Sequence, residues 1–313
     1  MAEFHVVVTD QVFPDVETER EMLAAAGASL EVAQGSRADV LATARDADAL
    51  LNTYFALDAS DIAGLPRCKA IARYGIGVDN IDLQAARSAG IAVTNVPDYC
   101  VEEVATHTLG LVLALVRRIP QGDARVRDGG WGVAGLGEVH RFSTLTVGLL
   151  GYGRIARRAA ALLRTLGADV LVHDPYVDSA DEGVRLVGLH DLLASADVVS
   201  VHCPLTPETR GLLDAGALAR MKPGAVLVNT SRGPLVVLDD ALAALREGRL
   251  GGLGLDVFES EPPDAAALAG VPNLLVTPHA AFFSREAVRE SQRKATTQVL
   301  KALRGEELDY AVA

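Results

Sequence analysis

Three polar residues each stand shortly after an apolar run: Arg232 after residues 225–230, Glu261 after 251–257 and His279 after 274–277. An arginine fork can hold a carboxylate and polarise a neighbouring carbonyl. An imidazole can give a proton to a developing alkoxide, or take one back. A carboxylate beside that imidazole orients the ring and favours its charged form. Besides a hydride carrier, these are the groups that reduction of a 2-oxo acid requires, with Arg232 as clamp, His279 as acid/base and Glu261 as its partner. Each also has a plainer reading: Arg232 as a surface cation, Glu261 as a solvated acid in a proline-rich loop, His279 as a helix cap. What joins them is that each follows a strand, and open parallel sheets bind ligands beyond the carboxyl ends of their strands. No cluster with metal-ligand spacing accompanies them, so no metal is expected.

The carrier has its own signature. A short apolar run, 147–150, ends in Gly151-Tyr152-Gly153-Arg154-Ile155-Ala156. Ile155, Ala159, Leu162, Leu163 and Leu166 then recur at helical spacing, Gly167 stops the helix, and a second strand, 169–173, ends in Asp174. Gly151 allows a tight turn, Gly153 lets a pyrophosphate approach the backbone, and Ala156 keeps helix and sheet close. The helix start offers N–H groups and a positive dipole end to the phosphates. Asp174, 21 residues after Gly153, is placed to accept from both ribose hydroxyls and to repel a 2′-phosphate. NAD is therefore expected rather than NADP, although Arg154, Arg157 and Arg158 work against strictness. The alternative is a tight strand–helix–strand turn that binds nothing.

These residues need a scaffold. Strand-like runs at 4–9, 29–33, 48–53, 69–74 and 91–96 alternate with helical segments at 18–26, 37–44 and 83–89, as in a small doubly wound α/β domain. Its loops carry Asn52-Thr53-Tyr54 and the stretch from Arg73 to Asn80. The glycines of the second loop suit either a carboxylate-binding nest of N–H groups or a simple turn. Pro97-Asp98 marks a boundary. A helix follows over 101–118, with Glu102 and Glu103 in its first turn and Arg117 and Arg118 in its last, matching its dipole. His107 reads there as a structural hydrogen-bonder. Residues 121–141, rich in glycine and holding the lone Trp131, read as an irregular arm that packs on a partner subunit. A long helix over 284–303 returns to the first domain or joins the two.

Composition sets bounds. A chain of 313 residues, half of them hydrophobic, has material for two cored domains. A net charge of −12 argues against nucleic-acid or anionic-membrane partners. Cys68, Cys100 and Cys203 are scattered, which suits a reducing compartment and no zinc site. No apolar run reaches membrane-spanning length, and the chain opens on a strand-like segment rather than a signal peptide. A cytoplasmic protein is expected.

The motifs GVDNID (77–82), VEEVATHTLGLVLAL (101–115), VGLLGYGRIA (147–156), HCPLTPET (202–209), MKPGAVLVNTSRG (221–233), LDVFESEPP (255–263) and TPHAAFFS (277–284) resemble those of the NAD-dependent D-isomer-specific 2-hydroxyacid dehydrogenases over nearly the whole chain. The resemblance implies an α/β fold of two doubly wound parallel-sheet domains. In it a Rossmann-type NAD domain, 99–288, is inserted in a flavodoxin-like substrate-binding domain, 1–98 and 289–313. It implies Arg232, Glu261 and His279 as catalytic residues. NAD would meet Gly151, Gly153, Arg154, Ile155, Asp174, His202, Cys203, Pro204, Thr209, Thr230, Ser231, Arg232, Asp256 and His279. A small 2-oxo or 2-hydroxy acid would meet Asn52, Arg73, Ile76, Gly77, Val78, Arg232, His279 and Phe282. A homodimer through the 101–141 region is also implied. RYGIGVDNID and PHAAFFSREA are most similar to the branch of C-terminal binding proteins, although Phe282 stands where that branch has tryptophan and Asn52 where it has an aromatic residue. An NAD(H)-sensing interaction protein with little turnover is thus the alternative to an enzyme. A formate dehydrogenase relative fits less well, because an amide is expected there in place of Glu261.

Overall fold

The computed structural model describes residues 3–313, and their contacts divide the chain into two units, one running up to Tyr99 and resuming at Ser284–Ala313, the other Cys100–Phe283. Each unit is built on strands of continuous apolar sequence, such as ALLN, VVSV and AVLVN, which are buried on both faces. Such runs suit parallel sheets covered by helices on both sides.

In the first unit the order is β1 (Phe4–Val8), α1 (Glu17–Ala25), β2 (Ala28–Val32), α2 (Arg37–Ala44), β3 (Ala49–Asn52), α3 (Ala59–Ala63), β4 (Ala70–Arg73), α4 (Leu83–Ala89) and β5 (Ala92–Thr94). The strands are all parallel in the order β2-β1-β3-β4-β5, the flavodoxin-like arrangement. Ser36 with Asp39 and Asp58 with Asp61 form capping boxes at the starts of α2 and α3, satisfying N–H groups that a helix leaves open.

The second unit holds α5 (Val101–Val116), α6 (Ile119–Arg127), β6 (Thr146–Leu150), α7 (Arg154–Thr165), β7 (Asp169–His173), β8 (Val184–Leu186), α8 (Leu189–Ser195), β9 (Val198–Val201), α9 (Ala215–Arg220), β10 (Ala225–Asn229), α10 (Leu238–Arg246), β11 (Leu250–Leu255), α11 (Ala265–Leu268) and β12 (Leu274–Val276). Its seven parallel strands run β12-β11-β10-β9-β6-β7-β8, so the order reverses between β6 and β9. One core packs Leu111, Leu115 and Leu163 of α5 and α7 against β6 and β7; another packs Leu192, Leu218 and Leu242 of α8, α9 and α10 against β9 to β11. The chain then returns to the first unit as α12 (Arg285–Arg304), whose start is capped by the Ser284 hydroxyl. Residue 289, the expected domain limit, falls inside that helix.

One expectation needs correction. Residues 121–127 of the expected irregular arm belong to α6. Arg118 turns left-handed at φ 56° and ends α5, and Pro120 then stands in the first turn of a new helix, where its missing N–H costs nothing.

Candidate active site

The glycine turn sits at the reversal of strand order. Gly151 leaves β6 at φ 94°, and a Cβ there would come within 2.8 Å of the His202 carbonyl and the Cys203 nitrogen in the turn after β9. Only glycine lets the two strand ends pass so closely. Gly153, at the start of α7, has an ordinary φ of −78°, and a Cβ on it would meet no atom within 4 Å. Neither conformation nor internal packing requires that glycine. Asp174 closes the turn, with Oδ2 accepting from the Tyr152 N–H at 2.8 Å and Oδ1 from that of Tyr176 at 2.9 Å. The arginines nearby are largely engaged: Arg157 bonds Asp181 at 2.8 Å and lies 4.2 Å from the centre of the Tyr152 ring, and Arg158 pairs with Glu102. Arg154 is exposed.

His202 Nε2 lies 2.9 Å from the Ser200 hydroxyl, and burial pushes its imidazole down to about 4. Burial first, and then the Asp174 charge, drive the Cys203 thiol up to about 11. Both residues are therefore neutral walls of the turn after β9. The Thr209 hydroxyl donates to the Pro204 carbonyl at 2.7 Å and accepts from the Thr206 N–H at 2.8 Å, which holds the rest of that loop.

Of the three residues singled out first, His279 and Glu261 meet directly: Nδ1 of the imidazole donates to Glu261 Oε2 at 2.7 Å. The other carboxylate oxygen accepts from the Phe258 N–H at 3.0 Å. Burial alone would raise the Glu261 carboxyl, but the His279 ring, the Phe258 N–H and the charge of Arg232 outweigh it and hold the group below its ordinary value. Arg232 thus belongs electrostatically to the same cluster. Its backbone is set by the buried Asn229, whose amide donates to the Arg232 carbonyl at 2.8 Å and accepts from the Ser231 N–H at 3.0 Å. The Ser231 hydroxyl donates to Val201 O at the end of β9, and Thr230 meets the Thr108 hydroxyl of α5 at 2.8 Å. Gly233 then crosses the loop after β11 so tightly that a Cβ would lie 1.9 Å from the Phe258 carbonyl carbon. That contact presses the Arg232 turn onto the loop carrying Glu261. A glycine following a strand-end arginine was its only trace in the sequence.

His279 itself stands in the left-handed region at φ 52°. The buried Asp256 holds it there. Its carboxylate accepts from the Thr277 hydroxyl at 2.5 Å and from the N–H groups of Ala280 and Ala281 at 2.9 Å each, while its carbonyl accepts from the His279 N–H at 2.8 Å. His107 Nε2 lies 3.0 Å from the Thr277 oxygen, which accepts because its hydrogen goes to Asp256. The side chain of Asp256 thus organises the histidine turn. Phe282 meets the His279 ring edge-on, with centroids 6.2 Å apart.

In the first unit the predicted substrate residues divide. Asn52 is fully buried: its amide nitrogen donates to Thr9 Oγ1 and Phe55 O, and its oxygen accepts from Asn80. Those bonds fix the loop after β3. Arg73, also buried, donates from Nε to Thr53 O at 3.0 Å, and its guanidinium lies so close over Gly75 that a Cβ there would sit 2.2 Å from it. Ile76, Gly77 and Val78 are half-buried. The carbonyls of Tyr74, Gly75 and Ile76 accept from Ser291, Val96 and Asn95, whereas the N–H groups of Ile76, Gly77 and Val78 meet no acceptor among the described residues. This is the polarity of an anion-binding nest.

Comparison with known proteins gives a consistent result. Residues 109–281 match the family model described as D-isomer specific 2-hydroxyacid dehydrogenase, NAD binding domain. The chain is 38% identical to D-3-phosphoglycerate dehydrogenase of Mycobacterium tuberculosis, an alignment covering 98% of this chain and 58% of that protein. The chain therefore spans little more than half the length of that relative. Among solved structures it superposes on the TT0316 protein of Thermus thermophilus with a TM-score of 0.90 and 36% identity, covering 99% of this chain and 100% of the other. It superposes on D-lactate dehydrogenase of Aquifex aeolicus, complexed with NAD and lactic acid, with a TM-score of 0.88 and 28% identity over 96% of each chain. The comparisons do not single out the C-terminal binding protein branch. Among the described residues no helix is long and apolar enough to cross a membrane.

Proposed function

Because the chain belongs to the D-isomer specific 2-hydroxyacid dehydrogenase family, we propose that it exchanges a hydride between NAD(H) and a small D-2-hydroxy acid or the corresponding 2-oxo acid. The observation that carries this reading is the 2.7 Å contact of His279 with Glu261, made within the electrostatic reach of Arg232. The similarity to named dehydrogenases favours turnover over a purely sensing role.

The residues present fit NAD. Gly153 has no internal reason to be glycine, the α7 N-terminus stands next to it, and Asp174 follows β7 with a lone pair to spare on each oxygen for ribose hydroxyls. When bound, the nicotinamide supplies or takes up the hydride. Arg232 holds the substrate carboxylate and polarises the carbonyl with its fork. His279, with Nδ1 tied to Glu261, is left with Nε2 to deliver a proton to the carbonyl oxygen in reduction and to remove one in oxidation. Glu261 fixes the tautomer and favours the imidazolium. The N–H groups of Ile76, Gly77 and Val78 receive substrate carboxylate oxygens, and Phe282 contacts the substrate side chain.

A second copy is expected on α6 and the segment after it, where Ile119, Val126, Trp131 and Val133 are exposed, Trp131 to 84%. Sedimentation should show a dimer, and a stable monomer would contradict this. A cytoplasmic location accords with the three free cysteines. The main test is spectrophotometric: NADH oxidation against glyoxylate, hydroxypyruvate, pyruvate, phenylpyruvate and branched or thioether 2-oxo acids. At least one should be reduced, with NADH preferred to NADPH, and a blank across the panel would overturn the assignment.

A further inference from the structure

A buried carboxylate in the first unit has no part in the chemistry above. Glu19 of α1 is fully buried, and no ion pair involves it among the described residues. Its Oε1 accepts from the Tyr74 hydroxyl at 2.7 Å and its Oε2 from the Gln292 amide at 3.1 Å. Gln292 also donates to the Asp15 carbonyl at 2.8 Å, and Ser291, beside it on α12, donates to the Tyr74 carbonyl at 2.6 Å. The Phe13 ring closes on Tyr74 edge-on, with centroids 5.1 Å apart. Both partners of Glu19 are donors, so the arrangement suits a carboxylate; burial holds the group above its ordinary value, although the Tyr74 and Gln292 bonds pull it down. A buried acid without a cation is a costly way to join two helices and a strand, and an apolar contact would serve packing better.

What the network grips is the residue that opens the nest. Tyr74 is the last residue before Gly75, and it is held at both ends, by its carbonyl and by its hydroxyl. The direction of the Tyr74 carbonyl sets the first peptide of the turn and hence where the following N–H groups point. We propose that Glu19, Tyr74 and Gln292 are positioning residues that hold the Gly75 to Val78 backbone in the conformation that receives the substrate carboxylate. The inference rests on the proposed dehydrogenase function and gives it a support outside the reacting groups. It predicts that loss of the network weakens binding of the oxo acid, leaves the hydride step intact and does not touch NADH.

The test uses the whole 313-residue chain and the best oxo acid of the panel, with Tyr74→Phe, Glu19→Gln and the double variant. Each single change should raise KM for the oxo acid about tenfold, a misplacement effect at a distance from the chemistry. At the same time kcat and KM for NADH should stay within about twofold, the signature of lost ground-state binding. The double variant should be no worse than the worse single one, since both remove one network. If Tyr74→Phe does not fold, the near-isosteric Glu19→Gln carries the test alone. An unchanged KM beside a lowered Tm would overturn the proposal by making the network merely structural. Absence of turnover by the wild-type enzyme would instead sink the dehydrogenase reading, and this inference with it.

Discussion

The two sheets treat the polar residues at their strand ends differently. In the seven-stranded sheet the ends of β10, β11 and β12 are pressed together, Gly233 against Phe258 and His279 onto Asp256, and side chains from distant parts of the sequence converge as a charged, hydrogen-bonded set. In the five-stranded sheet Asn52 and Arg73 turn inward, Asp10 receives the N–H groups of Thr53, Tyr54 and Phe55, and the turn after β4 leaves backbone N–H groups open instead. Side chains with tuned protonation suit proton transfer and charge stabilisation. Backbone N–H groups suit a carboxylate whose charge does not change during the reaction. If the proposed function holds, substitutions on the two sides should separate into effects on kcat and effects on binding or stability.

The sharpest test of that division is His279→Ala. A general acid contributes about 10²- to 10⁴-fold, so turnover should fall by that order while NADH binding, followed by fluorescence, stays as in the wild type. Near-normal turnover would remove the proton-transfer role from the seven-stranded side altogether.

Two glycines give the next contrast. Gly233→Ala places a Cβ 1.9 Å from the Phe258 carbonyl carbon, so the loops bearing Arg232 and Glu261 must part. We expect kcat to drop by about 10²-fold and Tm by about 5 °C, the scale of overpacking and of a displaced catalytic group. Gly153→Ala meets no protein atom within 4 Å. Its Tm should match the wild type, while the Kd for NADH rises by about tenfold or more, because the added methyl obstructs a phosphate approaching the α7 N-terminus. Equal melting losses in both variants would show that Gly153 serves the fold and not a ligand.

The same contrast explains what could be read from the sequence. Gly151, Gly153 and Asp174 belong to a local code in which strand, turn, helix and acid follow one another, and the structure places them at the reversal of strand order. The apolar runs of both sheets were legible because a strand buried on both faces needs little but apolar residues. The hydrogen bonds by which Asn52 braces its loop were not legible, because a polar residue at a strand end looks the same whether it faces a ligand or its own backbone. The tight crossing at Gly233 depends on a residue 25 positions away, and no local pattern announces it. The start of α6 was hidden because proline and glycine signal a loop, whereas a proline in the first turn signals a helix.

Glu261→Gln tests how the acid and the imidazole are coupled. The amide can still meet the ring but no longer faces it with a full negative charge, so the pH–rate profile of reduction should change. Stability should change on the acid side. The folded-state value of Glu261 lies below the ordinary 4.5, so its stabilising contribution is present above that pH and is lost as the pH falls through the depressed value. The variant should therefore lose less Tm than the wild type between neutral and acidic buffer. Identical pH–rate profiles would leave Glu261 as a structural neighbour of His279.

The smallest effect on catalysis is expected on the five-stranded side. Asn52→Ala removes three internal hydrogen bonds, to Thr9, Phe55 and Asn80, while the Asn80 amide keeps the Thr53 and Phe55 carbonyls as acceptors. Each lost hydrogen bond costs about 0.5–1.5 kcal/mol, so urea unfolding should register the change clearly. If Asn52 only braces its loop, kcat should stay within about twofold and specificity across the oxo-acid panel should keep its order. A reordered panel without loss of stability would mean that Asn52 reads the substrate after all. The five-stranded sheet would then contribute side-chain recognition as well as backbone, and the contrast between the two sheets would be one of degree.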